Sequence, residues 1–191
     1  MDVITLPDLG SLIEILEVPL PDLQYVAAEN VPEPYHHLLV HEGDMTRRLE
    51  QYYESPVHLS TLKVLHEPGS LFRQVLLQTD DMRTVEFGAI HIHLDKFQGG
   101  ALQAVLGCFQ PLGGILNAYS MYFRSRLSGF VTIHAEDALA GILGLEEDAR
   151  LYGRINSLVD AQGETIADVI ELLPPKGSGL RKQALGVQFS Q

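Results

Sequence analysis

Two charged side chains stand where the alternation of a β-strand calls for apolar ones. Between Leu71 and Gln78, the residues Leu71, Arg73, Val75 and Leu77 fall on one face. Between Glu164 and Leu173, Ala167, Val169, Glu171 and Leu173 do the same. A guanidinium set among aliphatic side chains loses its water, which costs several kcal/mol unless it is paired. Two arrangements answer that cost. Arg73 and Glu171 form a structural ion pair, or one of them sits at a strand end. Alternatively, Arg73 grips a ligand carboxylate bidentately, while Glu171 accepts a hydrogen bond from a ligand hydroxyl or handles a proton.

A turn adds a second feature. Pro111-Leu112-Gly113-Gly114 opens a short apolar segment, and helix amino termini expose N–H groups that hold anions, here the amide of Leu112. The plainer reading is that the glycines serve the backbone dihedrals of a turn. His91 and His93, two apart on a strand, invite a metal, but a third and usually acidic ligand must converge on them. Asp95 and Glu86 are near in sequence without completing a set, so solvated or half-buried histidines and no metal are expected. Nucleophile elbow, P-loop and dinucleotide-binding glycine fingerprint are all missing from the sequence. The one cysteine, Cys108, excludes an internal disulfide and a Cys-based zinc site, and its apolar neighbours suit a packed, inert thiol.

Regular elements must position these residues. A helix is expected from Tyr35 to Tyr53, with Asp44 as a helix-capping residue before Met45. Strands follow at Val57 to Leu65, Leu71 to Gln78 and Thr84 to Leu94, separated by the turns Glu67-Pro68-Gly69-Ser70 and Thr79-Asp80-Asp81-Met82. Asp95 to Leu106 reads as a helix or helical loop, Pro111 to Leu116 as a short helix, Phe130 to His134 as a strand and Glu136 to Leu143 as a helix. Strands at Arg150 to Val159 and Glu164 to Leu173 close the pattern. Consecutive hairpins with inserted helices predict an α+β fold, an antiparallel sheet with helices on one face. The 191 residues suit one domain at 36–175, with a proline-punctuated extension at 1–35 that could hold a turn or strand at Leu12 to Leu16, and a loosely held tail at 176–191.

The net charge of −12 argues against nucleic-acid and anionic-membrane partners. An anionic ligand must then be drawn by a few local arginines, of which Arg73, Arg124, Arg126 and Arg154 are the candidates. The first basic residue is Arg47, so no export signal is expected, and a cytoplasmic location is the simplest reading of the lone cysteine. The short acidic stretch 1–35 does not read as a winged helix, which argues against a stand-alone transcription regulator.

From Leu38 to Pro174 the sequence resembles the chorismate lyase family and its wider superfamily, which includes the effector-binding (UTRA) domains of GntR-type transcription regulators. Leu38-Leu39 followed by Asp44-Met45-Thr46 resembles the family's amino-terminal helix, and Leu71-Phe72-Arg73-Gln74-Val75-Leu76-Leu77 its "R-E-I-L-L" strand. Pro111-Leu112-Gly113 matches its "P-L-G" turn, Leu151-Tyr152-Gly153-Arg154 resembles "L-W-G-R", and Glu171-Leu172-Leu173-Pro174 resembles the closing "E-L-F-L-P". The resemblance implies a six-stranded antiparallel sheet with flanking helices and an internal ligand cavity. It implies a cofactor-independent carbon–oxygen lyase that splits chorismate into 4-hydroxybenzoate and pyruvate. In that scheme Arg73 holds a carboxylate with help from the Leu112–Gly113 turn, and Glu171 binds the ring hydroxyl. Met45 lines the pocket and Arg154 lies near the enolpyruvyl carboxylate. Three departures stand against it: Gln74 follows the arginine in place of glutamate, the Pro111 to Arg154 segment carries the extra stretch Phe123 to Asp148, and Gly141 to Glu147 resembles a turn of the regulatory sensors. The alternative is therefore a non-catalytic sensor or carrier with the same cavity and a small-molecule carboxylate ligand.

Overall fold

The alternating segments pair as seven strands in one sheet, every neighbouring pair antiparallel. A computed structural model describes residues 23–146 and 148–175. The strands are β1 (Gln24–Val26), β2 (Val57–Glu67), β3 (Ser70–Thr79), β4 (Thr84–His93), β5 (Arg124–His134), β6 (Arg150–Val159) and β7 (Thr165–Leu173). The helices are α1 (Tyr35–Leu39), α2 (Met45–Tyr53), α3 (Gly99–Gly107), α4 (Leu112–Ala118) and α5 (Asp137–Leu143). Spatial order is β1-β5-β6-β7-β4-β3-β2. Two three-strand meanders, β2-β3-β4 and β5-β6-β7, therefore meet at a β4–β7 seam. Residues remote in sequence are brought side by side there.

Each face has its own cover. Phe72, Leu76, Phe87, Ala89, Leu151, Ile155, Ile170 and Leu172 pack under Leu139, Ala140 and Leu143 of α5. On the opposite face, Val105 of α3 with Ile115 and Leu116 of α4 covers Leu71, Ile90, Ile92 and Ala167. Leu38 and Leu39 of α1 with Leu49 of α2 cover Leu77, Phe130 and Leu173 on that same side. The helices thus flank the sheet on both faces rather than one. The face of the central strands turned away from α1 to α4 is itself apolar and needs burying, and α5 covers it.

Other expectations shift in detail. The helix expected over Tyr35 to Tyr53 is two helices, α1 and α2. Asp44 does cap α2, as its composition suggested, and Oδ1 accepts from the Thr46 amide at 3.1 Å. That cap starts a new helix at Met45 and so ends the possibility of one continuous rod. The seventh strand, absent from the six expected, is β1, which lies in the stretch read as an extension and pairs with β5 at the sheet edge. Strand β5 begins at Arg124 rather than Phe130. The segment Leu12 to Leu16 and the tail 176–191 lie outside the described residues. Among the described residues no helix is long and apolar enough to cross a membrane.

Candidate functional site

The face that α1 to α4 cover is not apolar throughout. Between its two hydrophobic clusters, Arg73 of β3, Glu86 of β4, Arg154 and Asn156 of β6, and Glu171 of β7 are all buried. They line a pocket of about 670 Å³, part of it open to solvent, roofed by the first turns of α2 and α4. Arg73, Glu171, Met45, Leu112, Gly113 and Arg154, the residues singled out from the sequence, all border this one pocket.

Strand register explains the convergence. Arg154 faces Glu171 across β6–β7, and Glu171 faces Gly88 across the β4–β7 seam. Gly88 in turn faces Val75, two residues from Arg73 on β3. A Cβ on Gly88 would come within 3.1 Å of Val75 and 3.4 Å of Glu86 Oε1, so glycine keeps the floor open there. At the roof, a Cβ on Gly113 would meet Asp44 Oδ1 at 2.9 Å. The close approach of α4 to the cap of α2 thus requires glycine. Met45 and Leu112, the first residues of those helices, are both buried against the pocket. As the first helical residue, Leu112 has an amide that precedes the intrahelical ladder.

The two arginines differ sharply. Arg154 is 2% exposed and well partnered: Nε donates to Glu171 Oε2, and Nη1 donates to the carbonyls of His41 at 3.0 Å and Leu39 at 3.4 Å. The ion pair anticipated between Arg73 and Glu171 does not form, because β6 delivers Arg154 directly opposite Glu171 and claims its carboxylate. Arg73 is 1% exposed, and neither Nε nor Nη1 has a hydrogen-bond partner. Burial lowers its pKa from the usual arginine value; the Cys108 thiol, its one polar neighbour of note, acts the other way. The Cys108 side chain, at the end of α3, thus meets Arg73 as well as packing among apolar neighbours.

Two further residues belong to the site. Glu86 is buried with Oε2 unpartnered. Burial first, and then the Glu171 charge, pushes its pKa well above the carboxylate range, with Arg154 opposing. Its proton-bearing form is thereby favoured, and a protonated carboxyl donates as well as accepts. Asn156 gives Nδ2 to Ser125 Oγ at 3.0 Å and leaves Oδ1 unpartnered. The alternation that exposed Arg73 also exposes Glu86, since Glu86, Gly88, Ile90 and Ile92 share a face. Asp44 is pushed up as well, mainly by burial, with the Thr46 amide opposing and the Glu171 charge reinforcing. At the rim, His41 is lowered to about 4, by burial first and then by Arg154 and Arg48.

In chemical terms the pocket offers a guanidinium with two unpartnered nitrogens at its β3 side, a carboxylate paired with its own arginine at the β6–β7 side, and a proton-favouring carboxyl between. No protein-family model and no curated protein matches the sequence. Solved structures match its fold. Over 73% of this chain and 67% of the other, it superposes on PhnF from Mycobacterium smegmatis with a TM-score of 0.57 at 12% identity. The effector domain of that protein gives a TM-score of 0.57 at 12% identity, covering 71% of this chain and 91% of that one. The ligand-binding domain of a candidate GntR-family transcriptional regulator from Bordetella bronchiseptica gives 0.51 at 12% identity, over 63% and 86%. At such identities the likeness is one of fold. The Bordetella bronchiseptica structure is described as the ligand-binding domain of a regulator, and none of the three is described as a lyase.

Proposed function

We propose that this chain is a cytoplasmic, non-catalytic ligand-binding domain for a small carboxylate-bearing molecule, with Arg73 as the anion receptor. One observation carries the reading: a guanidinium 1% exposed, bordering a pocket, with Nε and Nη1 unpartnered. A desolvated charge without a counter-ion is destabilising, and a ligand carboxylate bound bidentately supplies one. The amide of Leu112 assists at the roof, Gly113 lets the ligand approach the backbone, and Met45 forms an apolar wall. Glu171, held in place by Arg154, accepts from a ligand hydroxyl, and Glu86 donates to one of its oxygens. Thermal-shift titration of the protein and of Arg73→Met with hydroxylated carboxylates, 4-hydroxybenzoate among them, tests this. A dose-dependent rise in Tm confined to the unsubstituted chain supports it. No response to any carboxylate, or an equal response in Arg73→Met, overturns it.

A second reading, the lyase, is favoured by one feature. Glu86, held toward its neutral form, stands beside the arginine-paired Glu171, and two carboxyls in such different environments can serve as an acid and a base. On chorismate the C3–O bond would break as the C4 proton leaves, giving 4-hydroxybenzoate and, after ketonisation, pyruvate. No cofactor enters that balance. Release of 4-hydroxybenzoate from chorismate, lost in Glu86→Gln, would establish this reading over the first.

A further inference from the structure

The sheet face opposite the pocket carries a constellation that the binding reading does not use. His91 and His93 of β4 project there with Phe87 and Ala89, and the β4–β7 register sets Asp168 directly across from His91. One ligand atom from each of His91, His93 and Asp168 lies within 4.8 Å of the other two. His93 Nε2 is already 3.6 Å from Asp168 Oδ2. A tetrahedral site with bonds of about 2.0–2.1 Å has edges of about 3.4 Å, so this edge is near its final length. The remaining edges are no longer than 4.8 Å between half-buried side chains.

The surroundings are those of a metal site with its outer supports. Ser157 of β6, the register partner of Asp168, donates to Asp168 Oδ1 at 2.6 Å and leaves Oδ2 turned toward His93. Ser70 Oγ lies 2.9 Å from His91 Nε2, and the His91 ring stacks on Phe72 at 4.2 Å with planes 11° apart. Such contacts fix ring orientation and carboxylate direction, as outer-shell partners of metal ligands do. His91, His93 and Asp168 are only part-buried, which leaves metal and water access. The net charge of −12 favours a cation over an anion anywhere on this surface.

We propose that His91, His93 and Asp168 form a binding site for a divalent transition metal of the zinc class, with water completing its coordination. Two imidazoles and one carboxylate are the ligand set such ions take. The site straddles the β4–β7 seam, so a bound ion ties the two meanders together from the face opposite the pocket. The sequence supplied His-x-His; the third ligand came from a strand far along the chain.

The test uses the full chain, stripped with a chelator and titrated with zinc chloride against a chromophoric competitor. One equivalent of zinc binding at micromolar or lower Kd is expected, with a rise in Tm. His93→Ala and Asp168→Asn each weaken uptake at least tenfold and abolish the Tm rise, while His37→Ala, on a distant helix, changes neither. Circular dichroism of the metal-free variants verifies the fold, and His91→Gln, which keeps a polar group at that position, serves if His93→Ala misfolds. Absence of stoichiometric uptake overturns the proposal, as does uptake unchanged in the seam variants or lost with His37.

Discussion

Arg73 and Arg154 lie on the same face of the same sheet and are equally buried, yet their surroundings are opposite. At the β6–β7 end of the pocket, Arg154 has a carboxylate and two carbonyls, so its charge is spent inside the protein. At the β3 end, Arg73 has two nitrogens without a partner. A charge that is satisfied internally builds structure: Arg154 ties the loop after α1 to the floor of the pocket and orients Glu171. A buried charge whose nitrogens lack partners carries a desolvation cost, which the ligand carboxylate proposed above would offset. Burial alone does not distinguish the two; the partner does.

Four substitutions or titrations press on that difference. The largest effect is expected from Arg154→Met, which strands Glu171 as a buried carboxylate and frees two carbonyls. It should lower stability by about 3–5 kcal/mol, the range for breaking one partner out of a buried pair, read from urea melts. Arg73→Met is expected to move stability the other way, upward and on the order of 1–4 kcal/mol, as replacement of buried ionic groups by packed apolar ones does. The same variant should lose at least a hundredfold in carboxylate affinity, measured by calorimetry. If both arginines destabilised alike on removal, the contrast between them would be gone.

Glu86→Gln sharpens the middle of the pocket. The folded-state pKa of Glu86 is raised, so its contribution is complete below the unfolded value of about 4.3 and is lost as pH rises. The glutamine variant should therefore melt higher than the unsubstituted chain at pH 7 and the same at pH 4. A Tm difference of about 2–4 °C per kcal/mol is the scale for a chain of this size. The smallest effect concerns His41, lowered to about 4 beside Arg154. Because the unfolded ring titrates near 6.5, unfolding takes up a proton between those values. Its stabilising contribution is present above pH 6.5 and fades toward pH 4. His41→Asn should flatten that part of the pH–stability curve, as followed by thermal melts.

Local physics was legible before any fold was known. Period-two alternation located β2, β3, β4, β6 and β7 to within a few residues, and it marked Arg73 and Glu171 as charges on apolar faces. Asp44 declared itself as a cap because its side chain needs only the amide two residues on. Strand β1 escaped notice because three residues carry too little periodicity to read, and they pair only when β5 is already in place.

Partnerships were beyond the sequence. Which carboxylate meets which arginine depends on the β6–β7 register, and a two-residue slip would have placed Asn156 rather than Arg154 opposite Glu171. Likewise, the pairing of β4 with β7 brings Asp168 to His91 and His93, and Glu86 within the field of Glu171. The sequence determined which side chains would turn inward, because alternation is a property of each strand alone. The tertiary structure decided which of them would be left bare, because satisfaction of a charge depends on what the neighbouring strand delivers.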